Sequence, residues 1–439
     1  MIRLSGRAMP GLDEFMLRIG HLKVISSVAS EFGGARHRVE RETASVLTNL
    51  TAVPADKASS VAIYLREKKL CAVSESDGTI PASDGRERYR YPELILRREG
   101  ATWTVRSAIS DKPVVIWWQD FCLAEAGVES KVGAITAVAR PGSKTGLSHV
   151  MDWAEQCGLI STTAQASPAA RLIAKLDGKT NGANWVGNPY VLQNERIILG
   201  FLLISADIDV FSRFVVRLAT QASFPLKKRE AARLFAATIS DLVTEADAAS
   251  YLSARQKFQL ADLLRDLRKA ARRSRGDLGD TSTSWHRTSS RLETYVDLRL
   301  LRKPSEEEKY EYVYNDTPEL KTIAQTLQSG EDPQEWLNRH LIGGVCGAPT
   351  SDDLLTPTEL IESLPSILGA IRSPSATLPL DIIALGVVKL RADKGSPISL
   401  GAARHSLEEL AKSRPEVARL ARGTSGERAE FITVISRAF

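Results

Sequence analysis

Across residues 226–273 apolar side chains recur at three- and four-residue intervals. A rhythm of about 3.6 residues held that long fits amphipathic helix, because strand side chains alternate with a period of roughly two. Composition points the same way. Ala, Leu, Glu, Lys and Arg dominate long stretches and aromatic residues make up only 6%, so helix is expected to exceed strand. Apolar residues at 43% and charged residues at 25% are ordinary for packed protein and argue against disorder. At 439 residues the chain exceeds what one core usually serves, so roughly two to four domains are expected.

Several classes are disfavoured. The longest apolar run, Ile197 to Ala206, stops at Asp207, well short of the about 20 residues of a membrane span. Arg3 and Arg7 precede no apolar run before Asp13 and Glu14, so no secretory signal is read and a cytoplasmic location is expected. The cysteines Cys71, Cys122, Cys157 and Cys346 form no C-x-x-C pair, which suggests neither a disulfide framework nor a zinc knuckle. The histidines His21, His37, His149, His286, His340 and His405 show no paired metal spacing. No metal and no cofactor are expected. Gly142-Ser-Lys-Thr145 resembles the tail of a phosphate loop but lacks its upstream glycine spacing, and reads as a turn. Glu67-Lys-Lys69 and Glu129-Ser-Lys131, the latter with Asp120 upstream, have the Glu-x-Lys spacing of metal-dependent nucleases. Neither sits on a clear strand, so a nuclease is the least favoured reading. Trp117 and Trp118 lie in an apolar run and are assigned to a core.

Charge is segregated. Residues 251–303 hold thirteen Lys or Arg against six Asp or Glu, a local +7 in a chain of net +5, so a positive field is concentrated in one segment.

Four segments are read as short helices followed by two strands and a turn. Residues 1–110 carry helices at 17–32 and 39–50, then a helix at 54–70 with Val61, Leu65 and Leu70 inward and Lys57 and Arg66 outward, then strands at 71–73 and 89–96 around a long polar wing. Residues 111–170 carry the apolar stretch 113–138, a helix after Thr145 up to Gly158, and a Ser/Thr/Ala/Pro-rich linker at 161–169. Residues 171–345 form a larger unit, with helices at 195–203 and 209–221, a helical insertion at 226–273, a helix from Trp285 to Leu298, and strands at 299–303 and 310–314. Residues 346–439 carry helices at 356–371, 380–392 and 399–413, then strands at 418–423 and 430–435. The fold class is thus mainly α with small β-hairpins (α+β).

These segments resemble the winged helix-turn-helix superfamily, as tandem units with a helical insertion. The resemblance implies binding of double-stranded DNA through the third helix of a unit and phosphate contact through its wing. On the helix starting near Trp285, His286, Arg287, Ser290 and Arg291 are placed outward, with Leu292, Tyr295 and Val296 inward; an outward arginine there can pair with guanine. Arg265, Arg268, Lys269, Arg272, Arg273 and Arg275 recur mostly at three- and four-residue intervals, so several share one helical face and can follow phosphates, the alternative being a solvated helix partly paired by Asp262 and Asp266. Arg404, His405 and Lys412, with Arg419 and Arg422 near the wing, form a second candidate contact that Glu408 and Glu409 weaken. Lys144, Ser148 and His149, and Lys57 and Arg66, are lesser candidates.

The expectation is a DNA-binding protein without catalysis, a target-engaging or regulatory component of a bacterial multi-protein DNA-transacting or phage-defence system. The alternative is an adaptor whose winged units hold a partner ATPase or nuclease.

Overall fold

In the computed structural model, the described residues are 4, 7–9, 19–49, 52–53, 63, 72–74, 94–100, 102–107, 144–176, 194–274, 276–302, 313–346, 349–371, 377–422 and 429–435. They are mainly helical, with one four-stranded and two three-stranded sheets. No helix among them is long and apolar enough to cross a membrane.

The N-terminal part holds α1 (Ile19–Phe32), α2 (Arg36–Asn49), and strands β1 (Ala52–Val53), β2 (Ala72–Ser74), β3 (Leu94–Glu99) and β4 (Thr102–Ser107) in sheet order β1-β4-β3-β2. The strand–wing–strand expected between 71–73 and 89–96 is corrected here. Strand β2 runs parallel to β3, and the antiparallel hairpin is β3–β4, with Glu99 opposite Thr102. Gly100, at φ +60, supplies the left-handed backbone that a two-residue hairpin turn demands. The helix expected at 54–70 and the stretch 113–138 lie outside the described residues.

Next come α3 (Lys144–Gln156) and α4 (Pro168–Leu176). The stretch read as a linker, 161–169, is instead packed structure. Ile160 bridges Ala166, Ala164 is fully buried, and the Ser161 hydroxyl accepts from the Gln165 amide at 3.1 Å. Ser and Thr here satisfy the backbone locally, which composition alone reads as loop. Helix α1 packs on α3 and α4, and within it the Lys23 ammonium donates to Glu195 at 2.8 Å with both side chains 2% exposed.

The middle of the chain runs α5 (Arg196–Ala206), α6 (Ile208–Gln221), β5 (Leu226–Lys227), α7 (Lys228–Ala248), α8 (Ala254–Ser274), a 3-10 turn Leu278–Asp280, α9 (Ser282–Asp297), β6 (Leu301–Arg302) and β7 (Val313–Asp316). The helical rhythm of 226–273 becomes the hairpin α7–α8. Helix α7 buries Ala232, Phe235, Ile239 and Leu242, and α8 buries Leu260, Leu263, Leu264 and Leu267. The sheet order is β5-β7-β6, antiparallel throughout.

After α10 (Pro318–Gln328) and α11 (Pro333–Cys346), the last part runs α12 (Pro357–Ile371), β8 (Thr377–Pro379), α13 (Leu380–Asp393), α14 (Leu400–Ser413), β9 (Ala418–Arg422) and β10 (Ala429–Val434). Its sheet order is β8-β10-β9, again antiparallel. Both units therefore follow helix, strand, helix, helix, strand, strand, with the third strand central. In both, the first strand leads directly into a helix. Only α8 and the turn after it stand outside this order, so the inserted element is smaller than the 226–273 expected.

Cys157 closes α3 against the N-terminal segment, its thiol 3.7 Å from the Met9 sulfur. Burial, and after it the nearby Asp207 charge, push that thiol far above its ordinary value. Since the thiolate is the reactive species, Cys157 is expected to stay unalkylated in the native protein up to about pH 9 and to label fully on unfolding. Site-resolved mass spectrometry after iodoacetamide treatment checks this; rapid native labelling would contradict the packing.

Candidate nucleic-acid interface

Helix α9 begins with Thr281 as N-cap, its hydroxyl accepting from the Ser284 amide at 3.0 Å. From Arg287 to Leu298 every residue is buried, so the outward polar face expected here is corrected. The Arg291 side chain, 2% exposed, donates to Asp207 at 2.6 and 3.0 Å and to the Met9 carbonyl at 2.7 Å, and lies 4.9 Å from the Phe235 ring centre. Arg287 donates to Asp266 at 3.0 Å, and the Ser290 hydroxyl turns back to the His286 carbonyl at 3.1 Å. His286 is half-buried. Arginine on a helix reads as solvent-facing only when no carboxylate from elsewhere in the fold meets it. Here α8 brings the partly exposed Asp266 and the α5–α6 junction the buried Asp207.

Helix α8 carries a leucine face and a basic face. Its leucines face α7 and α9, leaving Arg265, Arg268, Lys269, Arg272 and Arg273 exposed. Arg265 pairs with Asp262 and lies 5.9 Å from the ring centre of exposed Phe258. Among the described residues Arg268, Lys269, Arg272 and Arg273 have no ion-pair partner. Arg275 lies outside the described residues. The stripe from Arg265 to Arg272 covers two helical turns, about 10 Å of axis. A cationic row of that kind can neutralise several phosphates, each releasing counterion.

Sequence reasoning missed a neighbouring cluster. Arg229 and Arg233, four residues apart on α7, both grip Asp280 in the 3-10 turn that follows α8. Arg229 Nε and Nη2 lie 2.9 and 3.1 Å from its oxygens, and Arg233 Nε and Nη2 lie 3.2 and 3.0 Å away. These hydrogen bonds, Arg229 first and then Arg233, hold the Asp280 carboxyl well below the usual carboxylate range. The turn rests on the α7 backbone: a Cβ on Gly279 would meet the Arg233 Cα at 2.5 Å. The i, i+4 arginines were legible; their long-range acceptor was not.

Helix α14 is matched charge for charge. Arg404 is half-buried against Asp381, Lys412 donates to Glu409 at 2.6 Å, and exposed His405 lies 4.0 Å from Glu408. With Glu335, Asn338, Arg339 and Asp352 it lines an open groove of about 970 Å³ against α11. Arg419 is exposed, and its Nε donates to the Pro415 carbonyl. The side chains of Arg422, Lys144, Ser148 and His149, and all of Lys57, Arg66, Glu67, Asp120 and Glu129, lie outside the described residues. Among the described residues no group of three His, Cys, Asp or Glu is placed to hold a metal ion. Comparison with protein families, curated proteins and solved structures finds no match for the chain.

Removing Arg291 would strand Asp207 in the core, so Arg291→Ala should cost about 3–5 kcal/mol of stability. Urea denaturation checks this; an unchanged midpoint would return Arg291 to a surface role.

Proposed function

We propose that this protein binds double-stranded DNA without catalysing a reaction on it, using the exposed face of α8 to follow the phosphate backbone. The observation that carries the reading is the set Arg268, Lys269, Arg272 and Arg273, held outward on a helix whose other face is fixed by leucines and with no ion pair to any of the four among the described residues, Asp262 and Asp266 being paired with Arg265 and Arg287. Such a face supports affinity without base readout, since phosphate contacts position a protein but carry no sequence information. The repeated helix–strand–helix–helix–strand–strand order supports the winged-helix resemblance. The burial of α9 moves the DNA contact away from the helix such units commonly insert into the major groove.

A second reading concerns α14. Its groove carries Arg404, His405 and Lys412 beside Glu335, Asp352 and Glu408. Mixed charge repels a uniform polyanion in part and suits a protein segment of both signs, so this unit is proposed to hold a partner subunit.

Fluorescence anisotropy with two unrelated duplexes across a salt series tests the first reading. Affinity should fall steeply with salt. Arg268→Ala with Arg272→Ala should weaken both duplexes alike and reduce the slope of log K against log salt by about 2. Loss confined to one sequence, or no duplex binding at low salt, would overturn it.

A further inference from the structure

Asp280 poses a puzzle for a surface that recruits an anion, because a carboxylate there lowers the local positive charge. Its geometry resolves the puzzle. Each guanidinium carries five N–H donors in a fixed plane. Arg229 and Arg233 each spend only Nε and one Nη on Asp280, although their side chains are 64% and 54% exposed. The Nη1 donors are not used by the carboxylate that holds each guanidinium. Side-chain entropy, which otherwise opposes phosphate capture by a free arginine, is reduced before the ligand arrives.

The cluster also lies at the right end of the molecule. Helices α7 and α8 form a hairpin through residues 249–253, and α8 ends at Ser274, just after Arg272 and Arg273 and four residues before the turn Leu278–Asp280. The first turns of α7 and the last turn of α8 therefore share one end of the hairpin, with Gly279 seated on Arg233. The net charge of Arg229, Arg233 and Asp280 together is +1, added to that of the α8 stripe.

Resting on the reading of α8 as a duplex-binding face, we infer that Asp280 positions Arg229 and Arg233 as a preset fork that takes a backbone phosphate of the same duplex. In this arrangement α8 tracks one stretch of strand and the fork anchors the duplex where the stripe ends. Asp280 is a positioning residue; Arg229 and Arg233 make the contact.

Two accounts of Asp280 differ in sign. If the surface acts only through net charge, Asp280→Ala removes a repelling carboxylate and tightens binding. If Asp280 sets the fork, the same change weakens it. With a 20-base-pair duplex at low salt, Asp280→Ala is expected to weaken binding roughly three- to tenfold. Arg229→Ala with Arg233→Ala should weaken it comparably, and Asp280→Ala added to that pair should change little, as a double-mutant cycle demands of groups acting together. Arg229→Lys with Arg233→Lys keeps the charge and loses the planar fork, so it should also weaken binding. This pair serves if Asp280→Ala lowers the melting temperature. Tighter or unchanged binding by Asp280→Ala, or full affinity in the lysine pair, overturns the fork while leaving the α8 reading standing. A wild-type protein that binds no duplex overturns both.

Discussion

A buried carboxylate and a buried guanidinium organise the middle of this protein. Asp207 sits at the junction of α5 and α6, and its two oxygens meet Arg291 from α9 and the Met9 amide, the latter at 2.8 Å. Arg291 then reaches the Met9 carbonyl. Beside them the Arg7 amide donates to Asp209 at 2.9 Å, and the Asp209 amide returns to the Arg7 carbonyl at 3.3 Å. The α5–α6 junction, α9 and the N-terminal strap are thus tied at one point. Such a pair need not stabilise the fold more than hydrophobic side chains of equal volume would, but either partner left alone in the core is heavily penalised. The arrangement is therefore specified by what its disruption costs.

That constraint explains why α9 cannot offer a polar face. Once Arg291 is committed inward, Arg287 lies one turn earlier on the same side and is covered by α8, where Asp266 receives it. Helix α8 in turn must present its leucines to α7 and α9 to close the core, and the 3.6-residue period then leaves its arginines on the far side. The exposed cationic surface follows from the burial beneath it.

The parts of this structure legible in the sequence are those decided locally. Helix α8, its leucine face and its arginine face follow from periodicity alone, as do α1, α3, α12 and the strand-bounded helices of the last unit. The Arg287 and Arg291 side chains were misplaced because their direction depends on Asp266 and Asp207, the latter 84 residues away in sequence. No local rule distinguishes a solvated arginine from one awaiting a distant carboxylate. The β3–β4 hairpin was missed for a different reason. The expected strand stops at Leu96, whereas β3 continues through Arg97-Arg98-Glu99 to Gly100, whose turn pairs Thr102–Ser107 back onto it.

The two similar units differ in what covers the helix before their second strand. In the last unit, α14 keeps an open side toward α11, but carboxylates on its own turns and on α13 pair its cations. In the middle unit, α9 is sealed by the Asp207 tie and by the helix inserted ahead of it. That inserted helix has no strand to follow and no sheet to support, so its outer surface is free to carry charge that the core could not accommodate. A chain whose remaining residues carry a slight negative charge can in this way gather its positive field on one ridge. The Arg229–Asp280–Arg233 cluster extends the ridge at the end where α8 turns back into the core.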